Sequence, residues 1–468
     1  MRVFKLERYN YILTGFASNI LGNFLMFLTT IFLTRSYSTA VYGEFRLLFS
    51  FVSIAVIISL FGRDNGIIYY AQHEEKTKQN NVIIQETTFG FINLIIGSLI
   101  LYFLGDYVIS LLFNTAIVRS HYNIAIVMIP LWGLFNLLLA GVKSKGYINF
   151  SFILSNLTQR ALRLPFFIGL TLISAQFFSL AYSMILSQLV LIGIAIKKIP
   201  FVMNCFSVKL TDFFKRAGYA FQLGINTIIV VLLTKIDVIM VGKLMTNSSV
   251  AIYDIAVLLA FVVMMPFIAL VKSSEPTMNK LIKDQSVYNL YKKNLQLAFN
   301  LATVVFLGYI LFSDLILTFF GPSYVAGQTT LLVLSLGFLA VICLGAPIEI
   351  LNMNGYSKFS TYILLSSVGV NVGLNIWLIP LYQQVGAAIA TITSLLLTKG
   401  IALIIIKQQS TFNMYLKNIS IKLVLLFVGA CSITSLININ NWVYNKLLAL
   451  SIFILYSGYL IITYKQSR

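Results

Sequence analysis

Apolar runs of bilayer length recur from Tyr11 to Tyr464, separated by short polar breaks. A helix crossing a membrane needs about 20 mostly apolar residues, and the chain holds about fourteen such runs. Their centres lie near Gly22, Val52, Leu94, Pro130, Arg160, Ile185, Ile229, Phe261, Val304, Ser335, Ser367, Ile392, Leu426 and Phe453. The runs are too long for membrane strands and lack strict alternation, which predicts helices throughout. Neighbouring runs nearly merge at Phe167–Phe177 and Ile379–Gln383. The first run has the length of a full span and no small-residue cleavage site follows it, so a retained first helix is expected.

The pattern repeats. Shifting the chain by 208 residues puts Arg35 on Lys243, Gly43 on Ala251, Phe45 on Tyr253 and Arg46 on Asp254. The polar positions Thr14, Ser18 and Thr29 of the first helix fall on Gln222, Asn226 and Asp237 of the seventh, which share one helical face. Six helices separate the copies, and an even number preserves direction. The expected architecture is therefore an all-α integral membrane protein of two parallel-repeat six-helix lobes, residues 1–200 and 201–410, followed by two C-terminal helices in 411–468. The longest polar breaks, Arg63–Asn81, Lys197–Arg216 and Lys272–Lys293, are too short for a soluble domain with its own core.

Composition agrees. The hydrophobic fraction is 59%, charged residues make up 10%, and mean hydropathy is +0.90. The formal charge of +19 is dealt out in alternate loops. One set of segments holds Arg2, Lys5, Arg8, Arg63, Lys76, Lys78, Lys143, Lys145, Lys197, Lys198, Lys209, Lys215, Arg216 and the basic residues of 272–293, together with Lys358, Lys407, Lys417, Lys465 and Arg468. The other set holds only Arg35, Arg119, Lys243 and Lys446. That bias predicts both termini in the cytoplasm and accounts for the basic balance without nucleic acid. Cys205, Cys343, Cys431, His73 and His121 are isolated and lack metal-ligand spacing.

Charges inside the membrane are the site candidates, because each is costly unless paired, wet or bound. Asn156, Arg160 and Arg163 stand at i, i+4 and i+7 on one face of the fifth helix. Arg160 lies about ten residues in, roughly 15 Å deep by helical rise. Two guanidiniums on one stripe suit a phosphate-bearing headgroup, whereas an ion pair with an acid of another helix is the structural alternative. Arg46 and Asp254 occupy equivalent places near the outer ends of helices 2 and 8 and are candidates for an outer gate. Arg63 and Asp64 lie at the inner end of helix 2, to pair with a neighbour or line the inner mouth. Asp237 and Asn226 belong to the polar stripe of helix 7 and Lys399 to helix 12. Glu349, near the inner end of helix 10, is a coupling candidate if burial favours its protonated form.

Three stretches resemble a known family. Leu33-Thr34-Arg35 with Tyr42-Gly43 is similar to an "LTR…YG" entry to the second helix. Asp237 to Gly242, then Ala251-Ile252-Tyr253-Asp254 and Pro266, resembles "D…G…GIYS.A…P". Phe320-Gly321-Pro322-Ser323-Tyr324, Asn371 with Asn375, Ile379-Pro380-Leu381-Tyr382 and Gly386 to Thr391 resemble "FG..Y…N..LN..LIP.YG..GAAIAT". Gln383-Gln384, Ala251 and Asp254 depart from those patterns. The residues also have direct readings: the small side chains of Gly386-Ala387-Ala388 permit close helix approach, Pro380 marks a turn, and Asn371 and Asn375 hydrogen-bond to a neighbour.

The pattern is that of the Wzx-type polysaccharide repeat-unit flippases of the multidrug/oligosaccharidyl-lipid/polysaccharide exporter (MOP) superfamily. The resemblance implies a bacterial inner-membrane transporter, not an enzyme, that flips undecaprenyl-pyrophosphate-linked oligosaccharide for O-antigen or another surface polysaccharide. Its partners would be that lipid-linked sugar, membrane lipid and other polysaccharide-assembly membrane proteins. No cofactor motif or ATP-binding P-loop is present, so a proton or sodium gradient, or removal of product, is the expected energy source. A multidrug exporter of the same superfamily, a lipid II flippase and a membrane-embedded glycan-processing enzyme are the competing readings.

Overall fold

The computed structural model describes residues 2–113, 117–174, 176–198, 210–274 and 285–409. The two crossings expected near Leu426 and Phe453, the segment 411–468 and most of the 197–216 loop lie outside those residues. Among the described residues every regular element is helical. The first six expected crossings are met by α1 (Arg2–Ser36), α2 (Thr39–Leu60), α4 (Lys76–Phe103), α6 (Arg119–Ser144), the composite α7 (Ile148–Phe152), π turn (Ile153–Thr158) and α8 (Gln159–Ile173), and α9 (Phe177–Ile196). Two shorter helices, α3 (Arg63–His73) and α5 (Gly105–Leu112), extend the ends of spans. The next six crossings are met by α10 (Leu210–Leu244), α11 (Asn247–Ser274), α12 (Gln285–Thr318), α13 (Gln328–Cys343) with a 3-10 turn (Pro322–Gly327) before it, and both arms of α15 (Ser357–Gln409). The remaining helix, α14 (Pro347–Met353), follows α13.

The repeat is written in the helix boundaries. The helices α1 and α10 end at Ser36 and Leu244, 208 residues apart. An offset of 208 or 209 relates the starts of α2 and α11, α6 and α13, and α7 and α15. Ten helical stretches among the described residues are long and apolar enough to cross a membrane. The longest, α15, is two crossings: at Gln383 the backbone takes φ 54°, ψ −133°, and the chain reverses. Asn371 then reaches Ser394 (3.4 Å) and Thr398 reaches Ser367 (2.6 Å) across the hairpin. Gly386 lies so close to the Leu378 carbonyl that a Cβ there would collide. Asn375 bonds Asn371 at 3.0 Å. Pro380, the asparagines and the small residues thus act as packing and turning devices.

Packing divides the chain into two compact units, Met1–Ala251 and Ile252–Arg468. The first unit takes in α10, which the repeat assigns to the second lobe, because α10 lies along α2 and α3. Within this unit α6 is central and packs on α4, α9, α3 and α2. Leu94, Ile129, Leu137 and Leu138 are fully buried there. The outward faces are apolar too: Leu172 and Ile173 are each 81% exposed, a surface whose solvent is lipid. Buried hydroxyls turn back on their own helices, as Thr29 does to Leu25 (2.7 Å) and Ser98 to Leu94 (2.7 Å), since hydrocarbon offers them no other acceptor.

Candidate binding site

The fifth crossing does not run as a uniform α-helix. Six residues, Ile153–Thr158, form a π turn immediately before Gln159. Such a turn inserts extra arc into the helix and re-aims the side chains beyond it, which is why these turns gather at functional sites. Arg160 and Arg163 lie just past it, near the middle of the crossing. Asn156 lies within it, and its carbonyl rests against Gly22 of α1. The Arg160 Nη1 donates to Asn23 Oδ1 at 2.5 Å. With the Gln159 amide turned so that its oxygen faces Arg163, Arg163 donates from Nη2 to that oxygen at 2.8 Å and the Gln159 nitrogen donates to the Ser155 carbonyl at 3.0 Å. The Arg163 Nε is buried without a partner.

An aromatic ladder joins these arginines to Arg46 on α2. The Arg46 guanidinium sits 5.4 Å from the Phe49 ring centre, Phe49 lies 4.7 Å from Trp132 of α6, and Trp132 lies 5.6 Å from the Arg163 guanidinium. Arg46 and Arg160 are both within electrostatic reach of Arg163. Met128, Leu131, Trp132, Met184, Ile185 and Gln188 form a small cavity against Arg163. Among the described residues, no carboxylate pairs with Arg160 or Arg163. Their neighbours are an asparagine, a glutamine, an indole and each other. Amides and ring faces orient guanidiniums but do not neutralise them.

Arg63 is held in the opposite way. It is fully buried at the α2–α3 junction, and its Nη1 lies 2.8 Å from Glu86 Oε2 of α4, which is also fully buried. The Phe89 ring lies 5.3 Å from the Arg63 guanidinium. The second Glu86 oxygen faces Arg216 of α10 at 3.5 Å. Of the two sequence options for Arg63, pairing with a neighbour is the one present. Asp64 is half-buried beside it on α3; burial pushes its carboxyl above the ordinary range, with the nearby Lys143 charge acting against that rise.

The other candidates are dispersed. On α10, Asn226 is half-buried and Asp237 is 4% exposed. In the second unit, Asp254 is buried on α11 within electrostatic reach of Tyr324. Lys399 donates to the carbonyls of Gly345 (2.6 Å) and Val341 (3.1 Å), where α13 breaks before α14, and its ammonium lies 4.4 Å from the Phe267 ring centre. Glu349 of α14 is within electrostatic reach of Lys399, and its Oε2 is buried without a partner.

The sequence pattern did not single out Asn23, Trp132, Glu86 or the pair Glu44–His121 (2.8 Å), in which the imidazole stacks on Phe177 at 4.1 Å. For Glu86 a signal existed: it is an acid inside an apolar run otherwise poor in charge. Trp132 and Asn23 carried none.

The family model described as "Polysaccharide biosynthesis protein" matches residues 11–282. No curated protein sequence matches. Among solved structures, the chain is similar to lipid II flippase MurJ in an inward closed conformation, at 15% identity and a TM-score of 0.71, covering 98% of this chain and 100% of that one. It is also similar to an inward-facing multidrug resistance MATE family transporter of the MOP superfamily, at 12% identity and a TM-score of 0.68, covering 85% and 98% of the two chains. A third is a MOP superfamily transporter from Pyrococcus furiosus, described by the reverse polarity of its binding pocket, at 13% identity and a TM-score of 0.58, covering 85% and 93%. At such identities the likeness is one of fold, and that fold is the one the sequence motifs led us to expect.

Proposed function

The chain belongs to the polysaccharide biosynthesis protein family, and we propose that it carries an undecaprenyl-pyrophosphate-linked oligosaccharide repeat unit from the cytoplasmic to the outer leaflet of a bacterial inner membrane. A sugar chain and a pyrophosphate cannot cross hydrocarbon unaided. The observation that carries this reading is the pair Arg160 and Arg163, at mid-membrane with no carboxylate paired to them among the described residues and with Arg46 in electrostatic reach. Guanidiniums bind phosphate oxygens through paired N–H donors and stay charged in a low-dielectric site. The pyrophosphate would complete the charge balance that the helices leave open. Trp132 offers an apolar face beside it, and the polyprenyl tail stays in lipid.

The chain's charge pattern orients the Gly62 end of α2 toward the cytoplasm and the Gly43 end toward the outside. Headgroups therefore enter from the Gly62 end and leave at the other by alternating access. Glu349 and Asp254 are the acidic groups proposed for coupling to an ion gradient. O-antigen or a related surface polysaccharide is the proposed destination, with other polysaccharide-assembly membrane proteins as partners.

The test is deletion of the gene followed by mass analysis of inner-leaflet lipids. Accumulation of one undecaprenyl-pyrophosphate oligosaccharide, cleared by the wild-type gene but not by Arg160→Ala or Arg163→Ala, is the expected outcome. Accumulation of lipid II, or a changed drug sensitivity with no lipid-linked sugar retained, would replace this reading with one of its rivals.

A further inference from the structure

The Gly62 end of the α2–α10 seam carries a charge bolt. At the Gly43 end, α2 meets the chain through backbone and hydroxyls. A Cβ on Gly43 would collide with the Asn247 carbonyl, Leu47 fills the space over Gly242, and Thr39 faces Ser248 at 3.3 Å. At the Gly62 end the contact is also close, with Gly62 against Ala220 and Gly224, and Phe61 stacked on Phe221 at 4.5 Å. Here, however, three charges from three helices are added. Glu86 of α4 bridges Arg63 of α3 and Arg216 of α10. Gln85 faces the same Arg216 nitrogen at 3.4 Å, and the Tyr70 hydroxyl donates to the Arg216 carbonyl at 3.3 Å.

Beside this bridge lies a tight turn. Between α2 and α3 the chain turns through two consecutive left-handed residues, Phe61 at φ 52° and Gly62 at φ 74°. Gly62 takes that conformation at no steric cost, whereas Phe61 is held there against its preference. Strain of this kind persists only where surrounding contacts impose it, and it gathers at elements with two states. The bridge is graded as well. Arg63 and Glu86 have fully buried side chains, while the Arg216 side chain is 20% exposed and sits at the longer distance. The inner pair is fixed within the α3–α4 body, and the Arg216 arm is the separable one. Buried charges are a poor means of adding stability compared with apolar packing, but they specify one arrangement over another.

We propose that Glu86 bolts a gate at this end of the seam: it holds α10 closed through Arg216 and releases it when that contact is lost. The gate concerns access rather than headgroup binding, so it is independent of the arginine cluster at Arg160 and Arg163. It rests on the proposed transport only in supposing that this end opens.

The experiment uses the full chain with Cys205, Cys343 and Cys431 replaced by serine and Ala220→Cys as the reporter, since Ala220 is fully buried in the seam. The labelling rate with a membrane-impermeant maleimide is measured in inside-out and right-side-out vesicles. Arg216→Gln breaks only the arm to α10 and leaves the buried Arg63–Glu86 pair intact, so folding is not at stake. It is expected to raise labelling about tenfold, from one side only; Glu86→Gln does the same and Glu86→Asp restores slow labelling. A second reporter, Phe221→Cys, guards against a local effect of the first. Unchanged labelling in Arg216→Gln with both reporters, or equal acceleration from both sides, overturns the bolt. Because the assay needs no substrate, that failure leaves the headgroup reading standing. Conversely, a lost transport phenotype is assigned to the arginine cluster when gate labelling is normal.

Discussion

Two sets of arginines lie in the same unit and are held by opposite means, Arg63 fully buried and Arg160 with Arg163 half-buried. Arg63 meets a carboxylate at 2.8 Å, with both side chains fully buried. Arg160 and Arg163 meet an asparagine, a glutamine and the Trp132 face, with no carboxylate among the described residues. A guanidinium answered by an acid is part of the scaffold, because its charge is spent within the protein. One answered only by dipoles keeps its charge for something that is not part of the chain. In the proposed function, water or an anionic guest shares the site of the second arrangement.

Several substitutions would break or sharpen this contrast. The largest effect is expected at Arg163. Removing a charge-assisted phosphate contact costs about 1.5–3 kcal/mol per hydrogen bond, so Arg163→Met should cut transport of the lipid-linked sugar by about 100-fold or more. The same change should leave thermal stability in detergent unchanged or raised, because it deletes a half-buried charge that no carboxylate among the described residues neutralises.

Glu86→Gln should behave in the reverse sense. It leaves Arg63 buried without its acid, and a loss of about 3–5 kcal/mol is expected, read as a drop in Tm. Replacing both members, Arg63→Met with Glu86→Leu, should recover most of that Tm. A double-mutant cycle would then report coupling of about 1–3 kcal/mol. A smaller effect is expected at Trp132. Trp132→Leu keeps bulk but removes the cation–π face, worth about 1 kcal/mol, so a roughly fivefold weaker transport is expected with little change in Tm.

The smallest effect concerns Asp64. Burial raises its carboxyl above the ordinary value of 3.8, so the folded state favours the neutral acid. That contribution to stability is complete below the ordinary value and is lost as pH rises through the raised one. Asp64→Asn should therefore raise Tm slightly at neutral pH and flatten its decline between those two values. An unchanged pH profile would place Asp64 in contact with water instead.

Much of the fold was legible because membrane helices announce themselves by length and composition. The 208-residue shift read from Thr14, Ser18 and Thr29 reappears as the offset between helix starts, and Pro380 with Gly386 gave the hairpin at Gln383. The arginines were legible as misplaced charges. Their setting was not. The π turn at 153–158 is a matter of backbone hydrogen bonding with no residue signature, so the simple i, i+4, i+7 face missed how Asn156 and Arg160 divide between Gly22 and Asn23. Nor could spacing reveal that Arg63 answers to Glu86, 23 positions away on another helix, since that pairing is fixed by how α3 packs on α4. The Lys399 ammonium is a similar case. Its place on the carbonyls of Val341 and Gly345 depends on the break after α13, which the apolar run does not mark.

The most direct measurement is binding of undecaprenyl pyrophosphate to the purified full chain by native mass spectrometry, comparing wild type, Arg160→Gln/Arg163→Gln and Arg216→Gln. Binding should fall at least about tenfold in the double variant, one lost contact of about 1.4 kcal/mol being a factor of ten, and stay near wild type in Arg216→Gln. Equal binding by wild type and the double variant would contradict the assignment of these two guanidiniums to the pyrophosphate.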